Sequence, residues 1–247
     1  MDRNNYWATV ERDHEIQNPS TPEKLGFLIE HLAIEDGCRI LDVGCGKAWL
    51  LRTIASTKAV KAVGLEVNPS FVGQARQAIA CDDLKGSVDI REAPALSYEG
   101  VERTFDVSLC IGASFAIGSF EDAVDWLRHK TAPGGCLAIG EPYARRRPFP
   151  ASYRGEFGSL ERSLVETAEV LATRDLELIG LIAASTDDWD RYESLHWRAA
   201  HSWAQCNPTH PDRDALIERS KQARRNYLEF ERDYLGWAIF ICRTKAP

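Results

Sequence analysis

Several features that mark other protein classes are missing from this 247-residue sequence. No apolar run approaches the roughly 20 residues that a membrane-spanning helix requires, and the polar N-terminal segment lacks the apolar centre of a signal peptide. The seven cysteines include no Cys-x-x-Cys pair, which argues against a zinc knuckle and a thioredoxin-like site. The net charge of −7 provides no attraction to nucleic acid or anionic lipid. The sequence therefore predicts a cytoplasmic protein with neither membranes nor nucleic acids as partners.

The composition that remains suits a soluble enzyme built as one domain. Hydrophobic residues make up 44% of the chain and charged residues 27%, which are ordinary values for globular proteins. A chain of this length fits a single α/β domain, so residues 1–247 are treated as one unit. A monomer and a homodimer both remain open.

A glycine-containing turn near residue 44 is the strongest local signal. An apolar run beginning at Ile40 predicts a buried strand, Gly44 and Gly46 break it, and a helical period opens at Trp49. Strand, glycine turn and helix in this order form the mononucleotide-binding unit of doubly wound sheets. Glycine suits such a turn because it adopts angles that a Cβ forbids and lets a ligand approach the main chain. Tryptophan at position 49, where a dinucleotide fingerprint needs a small residue, argues against NAD or FAD.

Strand and helix patterns alternate through most of the chain, which predicts a doubly wound α/β fold with a mostly parallel, seven-stranded sheet. The predicted strands cover residues 40–43, 59–67, 87–90, 105–111, 136–140, 176–184 and 237–242. A turn at residues 133–135 is expected to precede the fifth strand. Helix starts are predicted after Thr21, Asn68 and Ser119, each a good N-cap residue.

Two segments lie outside this alternation. Residues 1–21 form a polar and aromatic N-terminal arm, and residues 187–235 contain two long helical patterns before the last strand. Two consecutive helices cannot both be ordinary crossovers in such a sheet. We therefore predict that residues 187–235 form a helical lid over the carboxyl edge of the sheet, where these folds bind ligands.

An acidic residue follows the glycine turn at an informative distance. Glu66 ends the second predicted strand, 20 residues after Gly46. This architecture places an acid there to accept hydrogen bonds from the ribose hydroxyls of a nucleotide. We therefore favour a ribose contact for Glu66 over an ordinary surface carboxylate.

With these residues in place, the chain resembles the class I S-adenosylmethionine (SAM) methyltransferases. Asp42-Val43-Gly44-Cys45-Gly46, Glu66, Glu92-Ala93 and Pro133-Gly134-Gly135 are similar to successive motifs of that family, in register from about residue 21 to residue 141. The resemblance implies SAM as cofactor, with the glycines along its methionine moiety, Glu66 on the ribose and Glu92 on the adenine amino group, although the family usually has aspartate there. The cofactor-binding residues that it implies are Asp42, Gly44, Cys45, Gly46, Glu66, Val67, Glu92, Ala93, Ile111 and Gly112.

Segments outside the core resemble one part of this family. Residues 14–19, Glu141-Pro142-Tyr143 and residues 188–192 are similar to an uncharacterised bacterial branch that is expected to act on small molecules. That resemblance implies a Rossmann-like methyltransferase fold but identifies no acceptor.

The candidate residues for binding and activating the acceptor are therefore chosen from the chemistry of methyl transfer. Methyl transfer from a sulfonium is an in-line displacement that needs the nucleophile held roughly 3–3.5 Å from the methyl carbon. A base is needed only if the nucleophile keeps its proton at neutral pH. The candidate catalytic residues are His14 in the arm, Glu141 and Tyr143 after the fifth strand, and Tyr192 in the lid. Alternatively, Glu141 pairs with the basic run at residues 145–147, and His14 is an ordinary solvated histidine.

The first lid helix carries an aromatic stripe of Trp189, Tyr192, His196 and Trp203 at helical spacing. Such a stripe could wall a pocket for a flat or cationic acceptor, or it could be plain packing. His196 and His201 are five residues apart, the wrong offset for one helical face, so we expect no metal site.

The sequence thus predicts a SAM-dependent methyltransferase that acts on a small-molecule acceptor in a pocket closed by the arm and the lid. A methyltransferase acting on nucleic acid or protein is disfavoured, because Cys110-Ile111-Gly112-Ala113 stands where amino-methylating DNA enzymes have Asn/Asp-Pro-Pro-Tyr. Two alternatives stay open: a SAM-binding regulatory protein without turnover, and an enzyme that uses SAM itself as substrate for an internal displacement.

Overall fold

A computed structural model describes residues 1–155, 157, 160 and 162–246. It contains one seven-stranded sheet in the order β3-β2-β1-β4-β5-β7-β6. The sheet is parallel except for β7, which runs antiparallel to both β5 and β6. The strands are β1 Arg39–Val43, β2 Lys61–Glu66, β3 Ser87–Glu92, β4 Phe105–Ile111, β5 Thr131–Ala144, β6 Leu176–Ala183 and β7 Leu235–Thr244. The predicted α/β fold class is confirmed.

The helices lie on both faces of the sheet and at its carboxyl edge. They are α1 Arg3–Val10, α2 Pro22–Leu32, α3 Trp49–Thr57, α4 Pro69–Cys81, α5 Phe120–Lys130, α6 Leu164–Ala172, α7 Thr186–Cys206, α8 Arg213–Asn226 and α9 Arg232–Tyr234. A π-helical turn, Tyr227–Glu231, joins α8 to α9. Within the described residues, none of these helices is both long and apolar enough to cross a membrane.

The predicted helix starts are confirmed by their caps. The Thr21 side chain accepts a hydrogen bond from the backbone N–H of Lys24, and Asn68 caps α4 through the N–H of Ser70. Ser119 and Asp122 form a reciprocal capping box at the start of α5. These side chains satisfy backbone donors that a helix N-terminus leaves unpaired, which is why the starts were predictable.

The fifth strand differs from the prediction. β5 begins at Thr131, so the predicted turn at residues 133–135 lies inside the strand. Phe105 of β4 pairs with Thr131 of β5, and Val107 pairs with Cys136, so β5 has more residues than β4 between these two pairs. The extra residues form a bulge in which Gly134 has φ +75°, a conformation that glycine adopts without a steric penalty.

The N-terminal arm contains a helix that the sequence did not predict. α1 is capped by Asp2, whose side chain accepts from the backbone N–H of Asn5. The helix has almost no apolar periodicity, so no sequence signal separated it from an irregular segment. It is held by tertiary packing: Tyr6 and Val10 form a small cluster with Ala200 of α7 and Leu216 of α8.

Two apolar layers cover the sheet. Ile40 and Leu109 point into the layer beneath α2, α3 and α4, whereas Leu41 and Leu137 point into the layer beneath α5. Because β1, β2 and β4 are parallel, their carboxyl ends meet at one edge of the sheet. Helix α1 of the arm contacts α7.

We expect Leu109→Ala to lower the free energy of unfolding by about 2–5 kcal/mol, because it leaves a cavity at a fully buried position in a central strand. The control is Val165→Ala in α6, a side chain that is 63% exposed, which should change stability by less than about 0.5 kcal/mol. Urea unfolding followed by circular dichroism measures both. Equal effects of the two substitutions would contradict this placement of the core.

Candidate functional site

The glycine turn is fixed by its backbone and by its neighbours. Gly44 and Gly46 have φ values of +67° and +53°, which L side chains rarely adopt. The backbone N–H groups of Gly44 and Cys45 both donate to the carbonyl oxygen of Leu65, at 2.8 and 3.1 Å. A Cβ at Gly44 would lie 2.3 Å from the Cβ of Ala113. The predicted requirement for glycine is therefore partly conformational and partly a matter of close packing.

The Glu66 carboxylate ties the end of β2 to this turn. Its Oε2 accepts from the backbone N–H of Gly46 at 3.0 Å, and its Oε1 accepts from those of Val67 and Asn68 at 2.9 and 2.8 Å. Burial raises the pKa of Glu66, although the three N–H donors oppose that shift. Glu66 thus has a bracing role that its sequence position alone did not indicate.

The adjoining strand end carries the predicted adenine residue. Glu92 is the register partner of Glu66 in β3 and is exposed. The backbone N–H of Ala93 donates to the Glu66 carbonyl oxygen at 3.0 Å. Val67 is 49% exposed at the same edge. The structure therefore brings Glu66, Val67, Glu92 and Ala93 together at neighbouring strand ends.

Two buried groups beside the turn are held neutral. Burial and the nearby charge of Glu66 raise the pKa of Asp42 to about 8. Burial, with Asp42 and Glu66 adding to it, also raises the pKa of the Cys45 thiol well above its usual value. A thiol held in this form is a poor nucleophile, so Cys45 contributes shape and not reactivity.

The end of β4 completes the edge. Gly112 has φ +88° and donates its backbone N–H to the carbonyl oxygen of Gly140 at 3.0 Å. A Cβ at Gly112 would meet Asn18 of the arm and Trp237 of β7 at 3.8 and 3.9 Å. Ile111 and Gly112 are therefore flanked by the arm on one side and β7 on the other.

Residues of the arm that the sequence analysis did not single out bind directly to the glycine turn. The Lys47 ammonium donates to the carbonyl oxygens of Glu11, Arg12 and His14 at 2.8, 3.1 and 2.7 Å. The Lys47 backbone N–H donates to Gln17 Oε1 at 2.8 Å, and Gln17 Nε2 donates to Glu11 Oε2 at 2.5 Å. Glu11 stands in a polar segment without periodicity, so no sequence signal pointed to it, and Gln17 was noted only as part of residues 14–19, without a role.

His14 has a defined tautomer. Its Nε2 lies 3.0 Å from the carbonyl oxygen of Tyr192, and a carbonyl oxygen only accepts, so Nε2 carries the hydrogen. Nδ1 is buried and has no hydrogen-bond partner among the described residues. Burial and the neighbouring His196 lower the pKa of His14 to about 4. At neutral pH, His14 is therefore an uncharged imidazole with a free Nδ1 lone pair.

His196, whose ring centroid lies 4.5 Å from that of His14, is charged instead. Burial would lower its pKa, but two carboxylates outweigh burial and raise it to about 9. His196 Nε2 lies 3.7 Å from Glu11 Oε1, and Nδ1 lies 3.6 Å from Glu193 Oε2. The environment thus separates the two histidines into one neutral and one cationic group.

The other two catalytic candidates lie on the opposite face of the sheet. Glu141 is buried and accepts a hydrogen bond from Ser114 Oγ at 2.7 Å; burial raises its pKa to about 7. Tyr143, two residues along β5, shares its face and belongs to the apolar layer beneath α5. Trp237 packs instead against Gly140, on the face toward α7. The structure therefore groups His14 with Tyr192, and Glu141 with Tyr143.

The basic run that was an alternative partner for Glu141 makes other contacts. Arg146 lies 3.6 Å from Asp233, and Arg147 pairs with Glu166 at 2.6 Å. Arg145 donates to the carbonyl oxygen of Ala184 at 3.2 Å.

The aromatic stripe of α7 packs against other parts of the chain. Tyr192 lies 4.9 Å from the ring of His14, and Trp189 lies 6.3 Å from that of Tyr227. Trp203 contacts His210 at 4.9 Å. The Tyr192 hydroxyl donates to Glu11 Oε1 at 3.1 Å. Tyr192 and His196 of the stripe thus contact the arm, whereas Trp189 packs on Tyr227 and Trp203 on His210.

Comparison with known proteins places this architecture among methyltransferases. The methyltransferase domain family matches residues 40–135. The uncharacterised protein YjhP of Escherichia coli K12 is 30% identical over 244 residues, which cover 97% of this chain and 98% of YjhP. The crystal structure of YjhP superposes with a TM-score of 0.88.

Two solved structures with a bound product are also similar. A SAM-dependent methyltransferase from Thiobacillus denitrificans in complex with S-adenosyl-L-homocysteine is 27% identical, with a TM-score of 0.86 over 99% of this chain and 100% of that one. A second such complex, from Geobacter sulfurreducens, is 28% identical, with a TM-score of 0.83 over 98% of both chains.

We expect Gly46→Ala to weaken binding of S-adenosylhomocysteine at least about tenfold, because the backbone is left-handed and the new Cβ would lie 2.1 Å from Gln17 Oε1. Gly26→Ala is the matched control, because a Cβ there would have no atom of the described residues within 4 Å, apart from its chain neighbours and the backbone of its own helix. Within helix α2, that change should stabilise the fold by about 0.5–1 kcal/mol. Calorimetric titration of both variants is the measurement, and unaltered binding by Gly46→Ala would contradict the role of the turn.

The two histidines predict opposite pH effects on stability. The pKa of His196 is about 9 in the folded chain, above the unfolded value of about 6.5, so its contribution is complete below pH 6.5 and is lost as pH rises toward 9. The pKa of His14 is about 4, so stability falls as pH drops from 6.5 toward 4. Urea unfolding as a function of pH measures both. His196→Gln should remove the alkaline decline, and the exposed His201→Gln should leave it.

Proposed function

Because the chain belongs to the class I SAM-dependent methyltransferases, we propose that it transfers the methyl group of SAM to a small-molecule acceptor held between the N-terminal arm, α7 and the carboxyl ends of β1 and β4. Bound SAM supplies a methyl group on a positively charged sulfur, which needs little activation by the protein. The work of the protein is to bind both partners, align them and exclude water.

The residues at the sheet edge fit the cofactor. A carboxylate accepts about four hydrogen bonds, and Glu66 uses three of these positions for backbone N–H groups. The remaining position is available to a ribose hydroxyl. The glycine turn, with Cys45 between its two glycines, is the place we assign to the methionine moiety, and the exposed Glu92 with the half-buried Ala93 is the place for the adenine at the next strand end. Asp42, two residues before Gly44, is a buried acid that is mostly neutral at physiological pH.

The observation that carries the small-molecule proposal is the closure of the arm over the glycine turn. Lys47 and Gln17 join the arm to the turn, and Tyr192 and His196 join it to α7. A polymer would have to displace these contacts to reach the sheet edge, which favours a small acceptor. The net charge of −7 further disfavours nucleic acid.

On the acceptor side, we assign the base to His14. The Tyr192 carbonyl oxygen holds the protonated Nε2, so Nδ1 carries the lone pair of the ring, and Nδ1 has no hydrogen-bond partner among the described residues. Glu141 and Tyr143 lie on the other face of the sheet, where Glu141 accepts a hydrogen bond from Ser114, three residues after the end of β4. The acceptor is therefore expected to be a hydroxyl, phenol or amine that must lose a proton.

The proposal predicts transfer of isotope-labelled methyl from SAM to compounds in the dialysable fraction of a bacterial extract, detected by mass spectrometry. Glu66→Gln should weaken binding of S-adenosylhomocysteine about 10–100-fold, because an amide cannot accept from all three N–H donors. His14→Gln should bind the product normally and lose transfer, since an amide is no base at neutral pH.

The matched control is Glu177→Gln on the exposed edge strand β6, which should alter neither binding nor transfer. Label found only on macromolecules would overturn the small-molecule proposal. Tight binding of SAM without any transfer would favour a regulatory protein, and breakdown of SAM without a methylated acceptor would favour the internal displacement.

A further inference from the structure

Lys47 stands at the junction between the cofactor turn and the N-terminal arm. It directly follows Gly46, and its half-buried side chain places the ammonium against three carbonyl oxygens of the arm, those of Glu11, Arg12 and His14, at 2.8, 3.1 and 2.7 Å. An ammonium has three N–H donors, so these contacts use its full capacity. Its main-chain N–H is bound as well, by Gln17 Oε1 at 2.8 Å.

The position of the ammonium favours this arrangement electrostatically. Helix α1 ends at Val10, so the carbonyl oxygens that Lys47 binds belong to the residues just after its carboxyl end. A cation is stabilised there by the helix dipole and by charge-assisted hydrogen bonds. Burial lowers the pKa of Lys47, and the carboxylates of Glu11, Asp13 and Glu15 oppose that shift. Lys47, which is distant from α1 in the sequence, therefore caps the carboxyl end of this helix.

The segment that Lys47 holds is also the segment that contacts α7. Glu11 accepts from the Tyr192 hydroxyl at 3.1 Å, and His14 Nε2 donates to the Tyr192 carbonyl oxygen at 3.0 Å. Asp13 lies 3.2 Å from Arg198. Lys47 thus connects the glycine turn to the arm, and the arm in turn contacts α7.

We propose that Lys47 is a positioning residue that couples occupancy of the cofactor turn to seating of the arm on α7. Any shift of the turn moves both the Lys47 main chain and its side chain, and with them the segment that carries Glu11 and His14. Coupling of this kind is reciprocal: a bound cofactor stabilises the seated arm, and a seated arm raises affinity for the cofactor. The inference rests on the proposed placement of the cofactor at the glycine turn.

Hydrogen–deuterium exchange of peptides that cover residues 1–21 tests the coupling, with S-adenosylhomocysteine as the ligand. In the wild-type chain, the ligand should slow exchange of the arm about tenfold. Lys47→Met, which keeps the length of the side chain and removes its charge and donors, should speed exchange without ligand and abolish the protection by saturating ligand. Lys58→Met, at an exposed position at the end of α3, is the control and should behave as wild type.

Titration of the six histidines by NMR gives a readout that general destabilisation would not produce. The pKa of His14 should rise from about 4 toward its ordinary value in Lys47→Met, because the ring is no longer held in the buried contact. If Lys47→Met fails to fold, Gln17→Met removes the other contact to the turn, and its arm protection should likewise fall.

Equal protection of the arm in Lys47→Met and wild type would overturn the proposal, as would an arm that exchanges at the same rate with and without ligand. If Lys47→Met lost ligand binding while the hydrogen–deuterium exchange of the arm stayed unchanged, the proposal would be overturned too, since Lys47 would then act only in cofactor binding. Failure of the acceptor proposal would be seen in the methylation assay, which does not measure the arm.

Discussion

The structure depends on how the main chain from Gly44 to Lys47 is held. Leu65 binds this turn through its carbonyl oxygen, Glu66 binds it through its carboxylate, and Gln17 binds it from the arm. The left-handed angles of the two glycines make this backbone strained for any other residue, and the surrounding contacts fix it in one shape. A turn fixed in advance loses little further conformational entropy when a ligand binds to it.

Burial of acidic groups around the turn has a clear electrostatic consequence. Asp42, Glu66 and Glu141 all have a raised pKa because the protein interior disfavours their charged forms. Only Glu66 has three N–H donors to stabilise its charge, so it is the carboxylate best suited to bind a polar ligand group. In the arm and α7, His14 is neutral because burial dominates its pKa, whereas His196 is charged because two carboxylates outweigh burial.

Much of the fold was predictable because its determinants are local. Thr21, Asn68 and Ser119 each satisfy the N–H groups of the helix that follows them, and this chemistry is visible in the sequence. The start of β5 was mispredicted because residues 133–135, which looked like a turn before the strand, form a bulge at Gly134 inside it. Helix α1 was missed because its stability comes from packing on α7 and α8 and not from its own pattern.

The sequence by itself determined the nucleotide-type turn, the acid at the end of β2 and the succession of strands along the chain, since each follows from backbone sterics, capping and hydrophobic periodicity over short spans. Only the tertiary structure decided which candidates meet. Strand alternation places Glu141 with Tyr143, but the packing of α5 and α7 decides which face they share. The contacts of Glu11, Gln17 and Lys47 join residues far apart in the chain, and polar side chains in an aperiodic segment reveal their partners only once the chain has folded.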